Sequence, residues 1–145
     1  MKNKKIITSS ELETYKLGQA EGNNCSGGEI YLLCGDLGAG KTKFTQGLAA
    51  GLGIKDRVNS PTFNILKLYK VGGKVKSLCH VDTYRLQSEK DLELLGISEF
   101  FASSKTVTVI EWAEKIKKIW PSGARIVEFR SLGVTKREII FSVKP

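Results

Sequence analysis

No stretch of this sequence approaches the roughly 20 consecutive apolar residues that a membrane-spanning helix needs, so no span is expected. The first residues, Met1-Lys2-Asn3-Lys4-Lys5, are basic, but only Ile6-Ile7 follows before Thr8-Ser9-Ser10. A secretory signal needs an apolar region of at least ~7 residues, so none is read here and a cytoplasmic location is expected. Cysteine is scarce: Cys25, Cys34 and Cys79 are widely spaced, odd in number and show no CxxC pattern. A zinc site and a disulfide framework therefore lack support, and reduced thiols are expected. The single histidine, His80, excludes any metal site built on a histidine pair. No internal repeat, low-complexity tract or long linker divides the 145 residues, a length that suits one domain spanning 1–145. Also missing is the Asn-Lys-x-Asp sequence that reads guanine, which disfavours a GTPase.

Positive charge is abundant instead. Lysine and arginine outnumber aspartate and glutamate by 23 to 15, a formal charge of +8. Such a field attracts polyanions. The lysines are scattered, however, at positions such as 67, 70, 74, 76, 115, 117 and 118, without interleaved aromatics as stacking platforms. A solvated surface and a nucleic-acid contact, direct or within a complex, both remain open at this point.

Strands and helices alternate early and give way to hairpins later. Ser10 and Glu13 have capping-box spacing, which predicts a helix from there to about Ala20. Glu29 to Cys34 is a short apolar run that reads as a buried strand. Phe44, Leu48 and Leu52 recur along one helical face that Gly53 ends. The segments 65–69 and 75–81, separated by Gly72-Gly73, read as a hairpin. Ser88 is positioned to cap a helix through Leu95, with a turn or short helix near Ser98 to Ala102. Val107 to Ile110 reads as a buried strand, and Ala113, Ile116 and Trp120 mark a helix closed by Pro121. The segments 125–130 and 137–143 complete the chain as a hairpin. The pattern predicts an α/β fold: a three-layer P-loop NTPase-like sandwich with a mixed, partly parallel sheet and C-terminal antiparallel strands.

Between the first buried strand and the following helix lies Gly35-Asp36-Leu37-Gly38-Ala39-Gly40-Lys41-Thr42, which satisfies GxxxxGK[ST]. Glycines let consecutive backbone N–H groups turn inward toward phosphate oxygens, and the helix adds the positive end of its dipole. Asp36, Leu37, Gly38, Ala39 and Gly40 are thus expected to line the phosphates of ATP. Lys41 is expected to reach the β- and γ-phosphates, and the Thr42 hydroxyl to ligate Mg²⁺. The strand before the loop and the helix after it are the context that this motif requires.

Such a site needs a carboxylate at a strand end for the metal. Asp82 closes one apolar run and Glu111 closes another. Asp82 is assigned to Mg²⁺ and Glu111 to the attacking water or the metal's outer shell, the reverse order being the alternative. His80 shares a strand face with Asp82 and reads as structural rather than catalytic. Arg85 suits either a transferring phosphoryl group or a partner. Thr62, after Pro61, is either a turn residue or a sensor of the γ-phosphate.

The ordered blocks GDLGAGKT (35–42), SPTF (60–63), HVDTYR (80–85), LGI (95–97) and VIEWAEK (109–115) closely resemble the bacterial TsaE family, formerly YjeE. That resemblance implies a small Mg²⁺-dependent ATPase of weak intrinsic activity. It is expected to work with the TsaD and TsaB proteins in the threonylcarbamoyladenosine modification of tRNA beside the anticodon. Its implied role is to reset that complex between turnovers, with tRNA contacted indirectly. The resemblance makes Thr62 the switch-like threonine and Asp82 the carboxylate on the Mg²⁺ side. It makes Glu111-Trp112 the essential Glu-Trp pair, with Trp112 at the nucleotide or partner surface; the residues alone read Trp112 as half-buried core. Thr83 and Ala113 stand where the family commonly has leucine and proline, and neither is expected to touch a proposed ligand. Two other functions compete: a small-molecule P-loop kinase and a nucleotide-gated binding module that does not hydrolyse.

Overall fold

The computed structural model describes residues 3–61 and 65–145. One seven-stranded sheet runs through them in the order β1-β7-β6-β2-β5-β4-β3. The strands are β1 (Lys4–Thr8), β2 (Ile30–Gly35), β3 (Leu66–Lys70), β4 (Ser77–Asp82), β5 (Thr106–Glu111), β6 (Arg125–Ser131) and β7 (Arg137–Val143). β2 lies parallel to both of its neighbours, β5 and β6, and β4 is parallel to β5. The outer pairs β3–β4, β6–β7 and β1–β7 are antiparallel. The sheet is therefore mixed, with a parallel centre and hairpins outside, as the sequence predicts. β1 is an edge strand to which the sequence reading assigns no element; its lysines read as a charged start, and they suit an exposed edge.

Alternation along β2 explains the layers. Tyr31 and Leu33 join a core with Phe44, Leu48, Val109 and Phe129 on one face of the sheet. Leu32 and Cys34 join another with Val81, Leu92, Ile97, Ile110 and Ile116 on the opposite face. Helices α1 (Glu11–Asn23) and α2 (Lys41–Gly51) cover the first face. Short helices α3 (Lys90–Leu94) and α4 (Ile97–Ala102), with a 3₁₀ segment over Ala113–Ile119, cover the second. Cys34 and Cys79 are buried and unpaired, and burial pushes both thiols up to about 12, so they pack as protonated hydrophobes. Among the described residues no helix is long and apolar enough to cross a membrane.

A side-chain cap sets the start of α1. Ser10 caps α1 by accepting a hydrogen bond from the Glu13 N–H at 3.1 Å, while Glu13 accepts from the Ser9 N–H at 3.2 Å. The predicted capping box is thus present with its return bond shifted by one residue, and α1 runs three residues past its expected end. Two expectations fail. α3 is capped by Glu89 without a side-chain bond, whereas Ser88 offers only its carbonyl, to the Asp91 N–H at 3.3 Å. The segment after Trp112 is 3₁₀ and kinked at Ile116 (φ −125°), so its apolar spacing reflects burial at Ala113 and Ile116, not an α-helix.

α1 and α2 cross so closely that only glycine fits between them. A Cβ added at Gly47 would lie 1.9 Å from the Tyr15 carbonyl oxygen, and one at Gly22 would lie 2.2 Å from that of Leu48. Both clashes are with backbone, which cannot rotate away. Gly47→Ala is therefore expected to destabilise the protein by about 3 kcal/mol, the upper end of overpacking costs, even though alanine is the better helix former. Urea unfolding measures this; a change within about 0.5 kcal/mol would contradict so close a crossing.

Candidate functional site

β2 sits where the chain order reverses, with β5 on one side and β6 on the other, and the loop leaving its C-terminal end opens at that switch point. Gly38 and Gly40 carry φ of +77° and +110°, in the left-handed region. Nothing lies within 4 Å of a Cβ at Gly38, so backbone conformation and not crowding demands glycine there. Gly40 starts α2 in that conformation without a side-chain cap, leaving the first helix N–H groups facing the loop. Leu37 is 84% exposed at the loop tip and Ala39 is buried beneath it.

Lys41 is buried, and its ammonium turns back onto the loop. It donates to the Gly35 carbonyl and, at 2.8 Å, to the Asp36 carbonyl. The Trp112 ring covers it, 4.0 Å from nitrogen to ring centre. Burial lowers the Lys41 pKa, and the charges of Glu114, Glu111 and Asp36 oppose that shift. Two loop carbonyls and an indole face thus satisfy the buried cation.

The parallel register of β4 and β5 sets Asp82 beside Glu111. Glu111 is only 2% exposed and uses both oxygens. Its Oε1 accepts from the Thr42 hydroxyl at 2.9 Å, and its Oε2 lies 2.6 Å from His80 Nε2. Asp82 accepts from the Tyr84 N–H at 2.9 Å. Burial raises the Asp82 pKa and the nearby Glu111 charge adds to this, against the Tyr84 hydrogen bond. Thr42, Asp82 and Glu111 thus form one cluster, with Ser60 Oγ 3.5 Å from the Thr42 hydroxyl. Thr62 lies outside the described residues.

Trp112 has φ +60°, the only positive value at a non-glycine among the described residues. Its ring leans on Tyr84, with centroids 5.0 Å apart. The buried Thr83 hydroxyl lies 3.0 Å from the Glu111 carbonyl and 2.6 Å from that of Trp112, a donor placed between the two. The expectation that Thr83 stands clear of the proposed ligands is therefore corrected: it ties the backbone of both members of the Glu-Trp pair. Two further residues escaped the sequence reading. Glu114 accepts from the Gly35 N–H at 3.0 Å, anchoring the start of the loop. Arg137, at the start of β7, donates to the Gly38 carbonyl at 3.0 Å. The 79-residue and 99-residue separations of these pairs explain why no local motif announces them.

A cavity of about 700 Å³ opens over the loop, with Asp82, Arg85 and Trp112 on one side and Glu11, Thr135 and Arg137 on another. Its volume falls in the range of small-molecule sites. Among the described residues no group of three or more His, Cys, Asp or Glu side chains could hold a metal by itself. One hydroxyl and two carboxylates beside a phosphate-binding loop instead suit Mg²⁺, a hard cation that keeps waters and shares its shell with phosphate oxygens. The donor set fits that ion and its nucleotide.

Residues 8–139 match the family model described as "Threonylcarbamoyl adenosine biosynthesis protein TsaE". The chain is 40% identical over 142 residues to the tRNA threonylcarbamoyladenosine biosynthesis protein TsaE of Bacillus subtilis, covering 98% of this chain and 87% of that protein. It is 36% identical over 135 residues to the protein of that name from Treponema pallidum, covering 93% and 97%. In three dimensions it is similar to the crystal structure of Bacillus subtilis YdiB, with a TM-score of 0.79 and 33% identity over 99% of this chain and 87% of that one.

The Thr83 contact yields a measurable expectation. Thr83→Val removes a buried donor at nearly constant volume and should cost about 1 kcal/mol of stability. Tryptophan-detected urea unfolding reads this directly, and an unchanged midpoint would mean that the hydroxyl does not hold the Glu111-Trp112 backbone.

Proposed function

We propose a function from one premise: the chain belongs to the TsaE family, whose named members are tRNA threonylcarbamoyladenosine biosynthesis proteins. In this reading it is a single P-loop ATPase domain over residues 1–145 that acts in that pathway. It binds ATP with Mg²⁺ and hydrolyses it in support of the TsaD–TsaB complex, in the cytoplasm, while tRNA is engaged through the complex. The observation that carries the reading is the hydrogen bond from the loop hydroxyl of Thr42 to the strand-end carboxylate of Glu111, beside Asp82. A glycine-rich turn of no function would not need a buried acid fastened to its threonine.

Each residue has a part in this scheme. The loop N–H groups from Asp36 to Gly40 hold phosphate oxygens, and Lys41 exchanges its carbonyl partners for the β- and γ-phosphates. Thr42 and Asp82 would hold Mg²⁺, with Glu111 at its outer shell or on the water; the ion, when bound, neutralises charge developing on the phosphates. Glu111 orients the water whose oxygen forms the new bond to the γ-phosphorus. The bond to the bridging oxygen breaks, ADP leaves, and the water's proton departs through Glu111 or phosphate. Thr62 senses the γ-phosphate. Trp112, packed on Lys41, links the loop to the Glu-Trp segment. Arg85 and Arg137 both line the cavity, but neither is assigned as an arginine finger, a part that can change rate by ~10³–10⁵. Slow turnover by the isolated chain and activation by the partner proteins follow.

ATP hydrolysis measured with and without purified TsaD and TsaB tests the scheme. Weak turnover that rises with both partners is expected; fast turnover indifferent to them would sink it. A phosphorylated metabolite formed in step with ADP would indicate a kinase instead. Absence of turnover even with partners would indicate a binding module. Lys41→Ala should weaken ATP binding by about 10-fold or more, the worth of one charge-assisted hydrogen bond. Glu111→Ala should lose turnover while retaining ATP binding measured without Mg²⁺.

A further inference from the structure

His80 is fully buried in β4, and its Nε2 lies 2.6 Å from Glu111 Oε2. Its Nδ1 is buried without a hydrogen-bond partner among the described residues. A buried N–H with no acceptor is costly, so the proton belongs on Nε2, where a carboxylate receives it. Glu111 therefore has one oxygen committed to His80 and the other to Thr42. The two bonds hold the carboxylate from opposite sides. Without the imidazole, Glu111 would retain one anchor and could rotate about its terminal bond, a broad and weakly restrained torsion.

We infer that His80 is a positioning residue: its Nε2–H fixes Glu111 so that the other carboxylate oxygen faces Thr42, and thereby presets the site for nucleotide-bound Mg²⁺. The inference rests on the Mg²⁺–ATP reading above and adds a part for a residue that touches neither nucleotide nor metal in that scheme. The geometry argues against a filler role. An apolar side chain would pack equally well in this strand, whereas a buried carboxylate with an unpaired oxygen would be penalised. The separation of 31 residues between the partners is bridged by neighbouring parallel strands, which hold both backbones rigidly. Partners behind a metal-site ligand are typically worth 10–100-fold in metal affinity or activity.

Two full-length variants and the unmodified protein test this. His80→Leu removes the donor and keeps an apolar filling; His80→Gln places an amide N–H near the lost Nε2. The readout is the ratio of affinities for a fluorescent, non-hydrolysable ATP analogue measured with Mg²⁺ and with EDTA. His80→Leu is expected to reduce that ratio about 10–100-fold, with affinity in EDTA little changed, and His80→Gln to recover it to within about threefold. A folded Leu variant that keeps the full ratio, or a Gln variant no better than Leu, overturns the inference. Because His80 is the sole histidine, its imidazole ¹⁵N signals in the unmodified protein are unambiguous. The Nε2–H tautomer is expected, shifting on Glu111→Gln; an Nδ1–H tautomer overturns the inference even where a variant fails to fold. If the unmodified protein binds the analogue equally with and without Mg²⁺, the underlying reading fails first and this one with it.

Discussion

The Glu111 carboxylate joins the two halves of the site, and the rest of the arrangement is built to hold it. It ends β5, is almost completely buried, and meets the first turn of α2 through Thr42 and the interior of β4 through His80. Two remote stretches of chain are thereby fastened to one side chain of β5. Burying a carboxylate is expensive unless its oxygens find donors. Here both do, and the backbone behind it is held by Thr83. The acid is consequently costly to misplace.

Lys41 obeys the same constraint with opposite sign. An ammonium beneath an indole and among the charges of Glu111, Glu114 and Asp36 is satisfied by two carbonyls of its own loop. Phosphate would offer stronger acceptors in the same neighbourhood, so an exchange of partners is chemically natural. The left-handed backbone of Trp112 stands between these two groups, following Glu111 in sequence and covering Lys41 in space. Loop and Glu-Trp segment are thus physically one unit. The close glycine contact of α1 with α2 holds the helix that carries Thr42 tightly against α1.

Much of this was legible in the chain. The glycine-rich loop, the strand before it, the helix after it and both hairpins follow from glycine placement and apolar period, and all lie where expected. Asp82 and Glu111 were recognisable as acids closing buried runs. The failures have physical causes. β1 was missed because its charges mask a strand whose hydrogen bonds come from β7, far along the chain. The cap at Ser88 failed because a five-residue helix is set by its packing, at Leu92, more than by its first turn. The 3₁₀ segment imitates a helix because burial at Ala113 and Ile116 resembles one helical face. The contacts of Thr83, Glu114 and Arg137 were not legible because each partner lies 28, 79 or 99 residues away in the chain.

Residues 35–42 by themselves determined that a glycine-rich loop opening into a helix would form, since backbone torsions and helix initiation are local properties of these residues. The sequence alone also determined the fold class, because strand and helix periods are local too. Only the tertiary structure decided which acid grips Thr42, that His80 stands behind it, and that Trp112 caps Lys41. Those are meetings between segments remote in the chain, and they depend on register in the sheet: a slip of one residue in the β4–β5 pairing would turn Asp82 or Glu111 to the other face.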